Sequence, residues 1–349
     1  MNWWLLFVLS VTIAVFSTKC ENLSKEENEK RKEECGKQIA AKIFGGRKTN
    51  REQSPWTVYQ KMTDGKKNIK ACTATVVSPR HVLTAAHCIA KLNSNRTGFE
   101  KIEISGESIR EENCKEDDYV IEDESIAGRV VFYEGENITD QFPVIGKAKK
   151  ISLINVCKLA ERPVDITDLA VIELEKNLTL GPTINMACVS NSVSDIAGFI
   201  TLDFYGYGKK PAEGDNTDGA LPIMLYEETH ILQPQFSYRR PQNASDSMFS
   251  NMTFYARSSE EKFIACEGDF GGGATRMIFG KTTVVGVLSD STCEKGEKET
   301  KWRKELGTEL FVPLAIYEDK ICKHSGICVK NHSKSHCFLV FVLLFVIKY

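Results

Sequence analysis

Two stretches of the chain concentrate side chains able to do chemistry. In the first, Ser78-Pro79-Arg80-His81-Val82-Leu83-Thr84-Ala85-Ala86-His87-Cys88, His87 closes an apolar, β-branched run. An imidazole in such a place can accept a proton near neutral pH, or it can be a plain structural side chain. Cys72 and Cys88 bracket it, so a disulfide could hold its loop. The second is a tail tract, Cys322, His324, Cys328, His332, His336 and Cys337, whose spacing suits a zinc ion. An oxidising compartment turns cysteines toward disulfides instead. Cys322 and Cys328 are then placed to close a small loop, while Cys20 and Cys337 stay unassigned.

The compartment is read from the N-terminus. Trp3 to Phe16 is uncharged and mostly apolar, too short for ~30 Å of hydrocarbon but suited to a secretory leader cut near Ser17. Twelve cysteines fit that export. So do sequons at Asn22, Asn95, Asn137, Asn177, Asn243, Asn251 and Asn331, read as glycosylation sites. With 45 basic and 47 acidic side chains the net charge is −2, which gives no global attraction for nucleic acid. An apolar content of 42% is globular and excludes disorder. The last apolar run, Cys337 to Ile347, would span only about 17 Å as a helix. It can serve as a lipid-anchor signal or as a plain sticky tail.

The elements that must position His87 are short strands. WTVYQ, TATVVSP, DLAVIEL, FITLDFYGYG and TTVVGVLS are rich in β-branched and aromatic residues, and turn residues separate them. The best helix lies near Leu314–Cys322. Many short strands in one chain point to a sandwich or barrels. Glu21 to Lys42 is nearly all polar and opens with the capping pattern Ser24-x-x-Glu27. Without an apolar stripe it reads as a pro-segment with one anchor, Cys35.

The string Thr84-Ala85-Ala86-His87-Cys88 resembles the general-base loop of the trypsin-like serine peptidases. Other segments in chain order are similar to the same family: Lys42-Ile43-Phe44-Gly45-Gly46 to its activation site, Ser54-Pro55-Trp56 to the segment after it, and Asp168-Leu169-Ala170-Val171-Ile172-Glu173-Leu174 to the strand carrying the triad aspartate. Gly286-Val287-Leu288-Ser289 resembles the cleft strand. The likeness runs from about Ile43 to Cys322, and the polar leader looks like that of a divergent secreted nematode branch. It implies an all-β fold of two six-stranded antiparallel barrels with a short C-terminal helix. It also implies Cys266–Cys293 and Cys35–Cys188 bridges. The family separates its histidine and aspartate by about 45 residues; here the separation is 81, which locates an acidic, loop-like insertion over about 99–150, with Cys114 and Cys157 at its edges as a pair.

In the roles that the resemblance implies, Asp168 orients His87, and His87 accepts a proton from a hydroxyl nucleophile. Backbone N–H groups of the glycine-rich turn at Gly268 stabilise the oxyanion. The nucleophile position departs from the pattern. Cys266-Glu267-Gly268-Asp269-Phe270-Gly271-Gly272-Gly273 carries Phe270 where the family has serine, and no second such turn exists. Ile264 stands at the acidic base of the trypsin pocket, which disfavours Lys or Arg. Asp290 and Ser291 after Ser289 alter the cleft edge. Asp269 would need a partner when buried, and cleavage at Lys42–Ile43 would free an amino group for it.

The domains expected are a leader at 1–17, a pro-segment at 18–42, a peptidase-like domain at 43–322 and a tail at 323–349. The function expected is a secreted, non-catalytic peptidase homologue that binds secreted proteases, inhibitors or substrates, with host defence one setting. An active endopeptidase with a non-standard nucleophile and a membrane-tethered binding module are the alternatives. None of these readings calls for a cofactor, a metal or a nucleic acid.

Overall fold

The computed structural model describes residues 12–14, 22–37, 51–63, 68–93, 98–138, 143–157, 167–197, 200–208, 223–224, 226–232, 253–258, 265–291, 308–329 and 342–344. The fold is mostly β, with two sheets that each return on themselves. In the first, pairing runs through Ala170–Leu174, His81–Thr84, Asn68–Ser78, Thr57–Thr63, Val130–Tyr133 and Val144–Leu153. It then closes back onto Ala170–Leu174, giving a six-strand barrel. In the second, it runs through Lys281–Asp290, Gly273–Ile278, Thr201–Gly206, Tyr226–Leu232, Phe254–Ser258 and Thr308–Pro313, and returns to Lys281–Asp290. A helix, Glu318–Ser325, follows the second sheet. The architecture is that of the chymotrypsin fold. A short ribbon pairs Thr12–Ala14 with Val342–Leu344.

Alternation along the strands explains why almost continuous apolar runs were needed. Val58, Val82 and Ile172 face the interior of the first barrel, while their neighbours Tyr59, Leu83 and Val171 enter a layer between the two sheets. Val285 and Leu288 likewise face the second interior, and Val284 and Val287 join that middle layer. A strand buried on both faces has no polar face to show a period of two.

Two expectations need correction. The segment 99–150 is not a loop outside the barrel, because Val130–Tyr133 and most of Val144–Leu153 are barrel strands. Cys114–Lys115 and Asp118–Ile121 are strands that extend the sheet past the barrel. The polar leader is also packed rather than loose. Lys25–Glu34 is a helix with a complete Ser24–Glu27 capping box, and Leu23, Asn28, Arg31 and Cys35 are buried. Its grip comes from hydrogen bonds: Leu23 N–H to Ser325 O at 2.8 Å, Asn28 Nδ2 to Cys328 O at 2.6 Å and Gly36 N–H to Met186 O at 2.8 Å.

The bridges Cys35–Cys188, Cys72–Cys88, Cys114–Cys157 and Cys322–Cys328 are formed, with Cα separations of 4.9, 6.2, 6.1 and 4.6 Å. Cys266 is disulfide-bonded as well, while Cys293 lies outside the described residues. Such a set belongs to an oxidising compartment. The zinc reading of the tail fails at its described members, since Cys322 and Cys328 are bound to each other and His324 is held by Asp118 at 2.8 Å. Among the described residues no helix is long and apolar enough to cross a membrane.

His81 sits fully buried beside the docked leader, its Nδ1 2.9 Å from Ser78 Oγ. Burial, reinforced by Arg80, Lys150 and Arg31, holds its pKa well below 6.5. The folded chain therefore keeps His81 neutral while the unfolded chain protonates it. The stability tied to neutral His81 is present above about pH 6.5 and is lost as pH falls below it. Unfolding free energy should drop by up to ~1.4 kcal/mol per pH unit from this group between pH 6.5 and 5. Denaturant titrations of native and His81→Gln chains check this; a His81→Gln chain with an undiminished slope would overturn it.

Candidate functional site

His87 is presented by a single 3-10 turn, Ala86–Cys88, directly after the strand His81–Thr84. The Cys72–Cys88 bridge fixes one side of this turn, and Lys70 Nζ donates to His87 O at 2.7 Å on the other. Asp168 precedes the neighbouring strand, Ala170–Leu174, so sheet pairing brings the two together across 81 residues. The carboxylate makes two bonds to the histidine: Oδ1 accepts its backbone N–H at 2.7 Å and Oδ2 meets Nδ1 at 2.7 Å. Burial by itself would raise the pKa of Asp168, which is wholly enclosed. The His87 charge, its ring and backbone N–H, and the Ser289 hydroxyl outweigh that penalty and hold the carboxyl below the ordinary carboxylate range. The pair thus fixes one tautomer, with Nε2 left as the proton acceptor.

Ser289 has a role that motif reading did not assign. Its Oγ donates to Asp168 Oδ2 at 2.6 Å, so it supports the aspartate in addition to lining the cleft strand. Asp290 Oδ1 accepts the Ser291 N–H at 2.9 Å, and the Ser291 hydroxyl donates to Ala265 O. Glu309 was also missed: it is fully buried, and its carboxylate accepts the Ala265 N–H at 2.6 Å. No local signal marks it, because its partner lies 44 residues away. Ile264, Lys42 and Ile43 lie outside the described residues.

The glycine-rich turn faces His87 from the second sheet. Gly268 has φ +100°, and a Cβ there would lie 2.8 Å from Tyr207 O, so only glycine fits. Thr73 Oγ1 donates to Gly268 O at 2.8 Å, and Thr73 N–H donates to Phe270 O at 2.9 Å; both pin the turn to the first barrel. Asp269 is buried and accepts N–H bonds from Gly208 and from Cys266, the latter at 2.9 Å. A side chain at Gly208 would overlap the Asp269 carboxylate, which requires that close approach. The backbone N–H groups of Gly268 and Phe270 donate to no acceptor among the described residues, as an oxyanion site requires.

What stands beside the imidazole is a ring. The Phe270 phenyl meets His87 edge-on, with centroids 5.1 Å apart and planes at 78°. It is half-buried, packed against both the middle layer and the second interior. His87, Cys72 and Cys88 cluster closely enough to suggest metal ligands, but the two sulfurs are bonded to each other.

A profile of the nematode trypsin-6-like family matches residues 5–328. The chain belongs to that family. Among curated relatives, the nematode trypsin-6-like chain is 23% identical over 330 residues to Trypsin-like protease try-5 of Caenorhabditis elegans, covering 88% of this chain and 94% of that protein. It is 23% identical over 265 residues to CLIP domain-containing serine protease B4 of Anopheles gambiae, covering 73% of this chain and 64% of the relative's length. A 58-residue stretch is 41% identical to Phenoloxidase-activating factor 3 of Holotrichia diomphalia, 16% of either chain. In this member of the nematode trypsin-6-like family the scaffold, the His87–Asp168 pair and the glycine-rich turn are all present, and the turn carries Phe270.

Of the sequons, Asn177 is exposed, whereas Asn22 is half-buried with Nδ2 donating to Lys323 O at 2.8 Å, a poor acceptor for a glycan. Asn137 lies in a short strand pair, and Asn95, Asn243, Asn251 and Asn331 are outside the described residues.

Proposed function

We propose that this chain is a secreted, non-catalytic member of the trypsin-like family that acts by binding other secreted proteins. The observation that carries the reading is the Phe270 ring 5.1 Å from the His87 imidazole. Acyl transfer needs a nucleophilic atom within hydrogen-bond reach of the base. A phenyl group has none, and it occupies space beside the imidazole. Ser289, on the cleft strand, spends its hydroxyl on Asp168. The bridged cysteines and the apolar leader support export. The secreted partners that fit are proteases, their inhibitors or their substrates; the short likeness to a phenoloxidase-activating factor is compatible with a setting in host defence.

The competing reading, an active endopeptidase, draws on the names of the relatives. Labelling with a fluorophosphonate probe separates the two. The full chain, before and after cleavage at Lys42–Ile43, is expected to take no label. Stoichiometric label that disappears in a His87→Ala chain would establish an unrecognised nucleophile and overturn the proposal.

A further inference from the structure

The leader helix Lys25–Glu34 carries a cation into the protein without a counter-charge. Arg31 is 4% exposed, and its Nε donates to Asn28 Oδ1 at 3.0 Å on the same helix. Among the described residues no carboxylate stands within ion-pair distance of Arg31, and its buried Nη1 has no acceptor. Burial draws its pKa down to about 10 against the pull of Glu29, which still leaves it charged at neutral pH. A buried charge is stable only when something pairs with it.

The surface beneath the helix adds donors rather than acceptors. Cross-strand pairing sets Lys150, Glu173 and His81 in one row, and their neighbours Ile151, Ile172 and Val82 face the barrel interior. The row therefore lies on the outer side of the barrel. Arg80, next to His81, reaches the leader with Nη2, 3.3 Å from Asn22 O and 3.4 Å from Glu27 Oε2, one helical turn before Arg31. Its Nε is buried without an acceptor, and so is His81 Nε2. Ser78 Oγ accepts the Arg80 N–H at 3.1 Å and lies 2.9 Å from His81 Nδ1. The buried hydroxyl finds an acceptor for its own proton only if it donates to Nδ1, which places the ring proton on Nε2. Arg31, Arg80 and Lys150 all act on His81, so the helix and the barrel bring their charges to one place.

We infer that a small monovalent anion of chloride size binds between the leader helix and the first barrel, with Arg31 as its counter-charge and the N–H groups of His81 and Arg80 beside it. The other charges there have partners. Glu27 meets Arg80 at 3.4 Å, Glu29 meets Lys32 at 2.8 Å, and Glu173 meets Lys150 at 3.6 Å and Lys149 at 3.9 Å. Arg31 alone in this group lacks a carboxylate, so one negative charge balances the site. A divalent oxyanion would replace a buried excess of positive charge by one of negative charge. The enclosure of Arg31 and His81 also favours a single atom over a phosphate or a sugar acid. The bound ion would lock the leader to the barrel by a link separate from the Cys35–Cys188 bridge. This inference does not depend on whether the cleft is catalytic.

Thermal unfolding of the purified full-length chain at pH 7 tests it, with chloride exchanged for gluconate at constant ionic strength. Raising chloride from ~1 to ~150 mM should raise Tm by roughly 2–6 °C, since an ion held only by the folded chain stabilises it by mass action. In Arg31→Met the rise should vanish. A second measurement needs no variant: a crystal of the native chain grown in bromide should show an anomalous peak within about 3.5 Å of Arg31 Nη1. No rise with chloride, an equal rise with sulfate, a rise that survives in Arg31→Met, or a bromide crystal without that peak would each overturn the inference.

Discussion

On the proposed non-catalytic reading, Phe270→Ser should give the chain measurable turnover of p-nitrophenyl acetate where the native chain gives none. In the subtilisin series, loss of the serine alone costs about 2 × 10⁶ in turnover, close to 8.6 kcal/mol of barrier. Other parts of that chemistry stand together here. His87 Nδ1 is held 2.7 Å from Asp168, Ser289 supports the carboxylate, and the N–H groups of Gly268 and Phe270 have no acceptor among the described residues. Removing the ring also clears the space next to the imidazole. A gain of roughly two to four decades over background is expected. Full recovery is not, because Asp290 and Ser291 still shape the cleft edge. A small ester needs no specificity pocket, so the result does not depend on Ile264. The gain should vanish in the Phe270→Ser, His87→Ala double variant. A burst of nitrophenolate from the native chain, abolished by His87→Ala, would sink the non-catalytic reading.

The second large effect is on stability. Asp118→Ala should destabilise the chain by about 3 kcal/mol, because it leaves buried and partly buried donors without their shared acceptor. Asp118 is fully enclosed, and its carboxylate accepts from Asn155 N–H at 3.0 Å, Lys320 Nζ at 3.0 Å and His324 Nε2 at 2.8 Å. Burial pushes its pKa up; the His324 bond, the Asn155 N–H and the Lys320 bond overcome this and hold the group well below the carboxylate range. A depressed carboxyl pKa contributes stability above its unfolded value near 3.8, and that contribution is lost as pH falls below it. The melting temperature of Asp118→Ala should therefore lie roughly 10 °C below native at pH 7, and the gap should narrow in acid. Asp118→Asn, which keeps some hydrogen bonding, should fall between. A loss under ~1 kcal/mol at pH 7 would show that this network does not hold the strands beyond the barrel to the C-terminal helix.

Much of the site was legible in the residues alone. The Thr84–Cys88 string, Asp168 ahead of an apolar strand and the Gly268–Gly273 turn each keep their order because short-range chemistry dictates it. His87 ends a strand, which carries it to the cleft, and Gly268 at φ +100° lies where a side chain would clash with Tyr207 O. Phe270 was equally plain, since the loss of an atom needs no coordinates to be read.

Long-range geometry was not legible. Barrel membership of Val130–Tyr133 and Val144–Leu153 was hidden by the polar side chains around them, which sequence reading assigns to loops. The leader Ser24–Gly36 has no apolar stripe, so its docking through Asn28, the Gly36 backbone and Cys35 left no periodic trace. The bonds of Ser289 to Asp168 and of Asp118 to His324 span 121 and 206 residues. Side-chain types along a chain record local propensity and burial, and so determined most of the strands, the His87–Asp168 pair and the place of Phe270 in the turn. Which polar groups meet across two sheets depends on closure of both barrels, and only the tertiary structure decides it, because a buried polar group is stable only where its partner already stands.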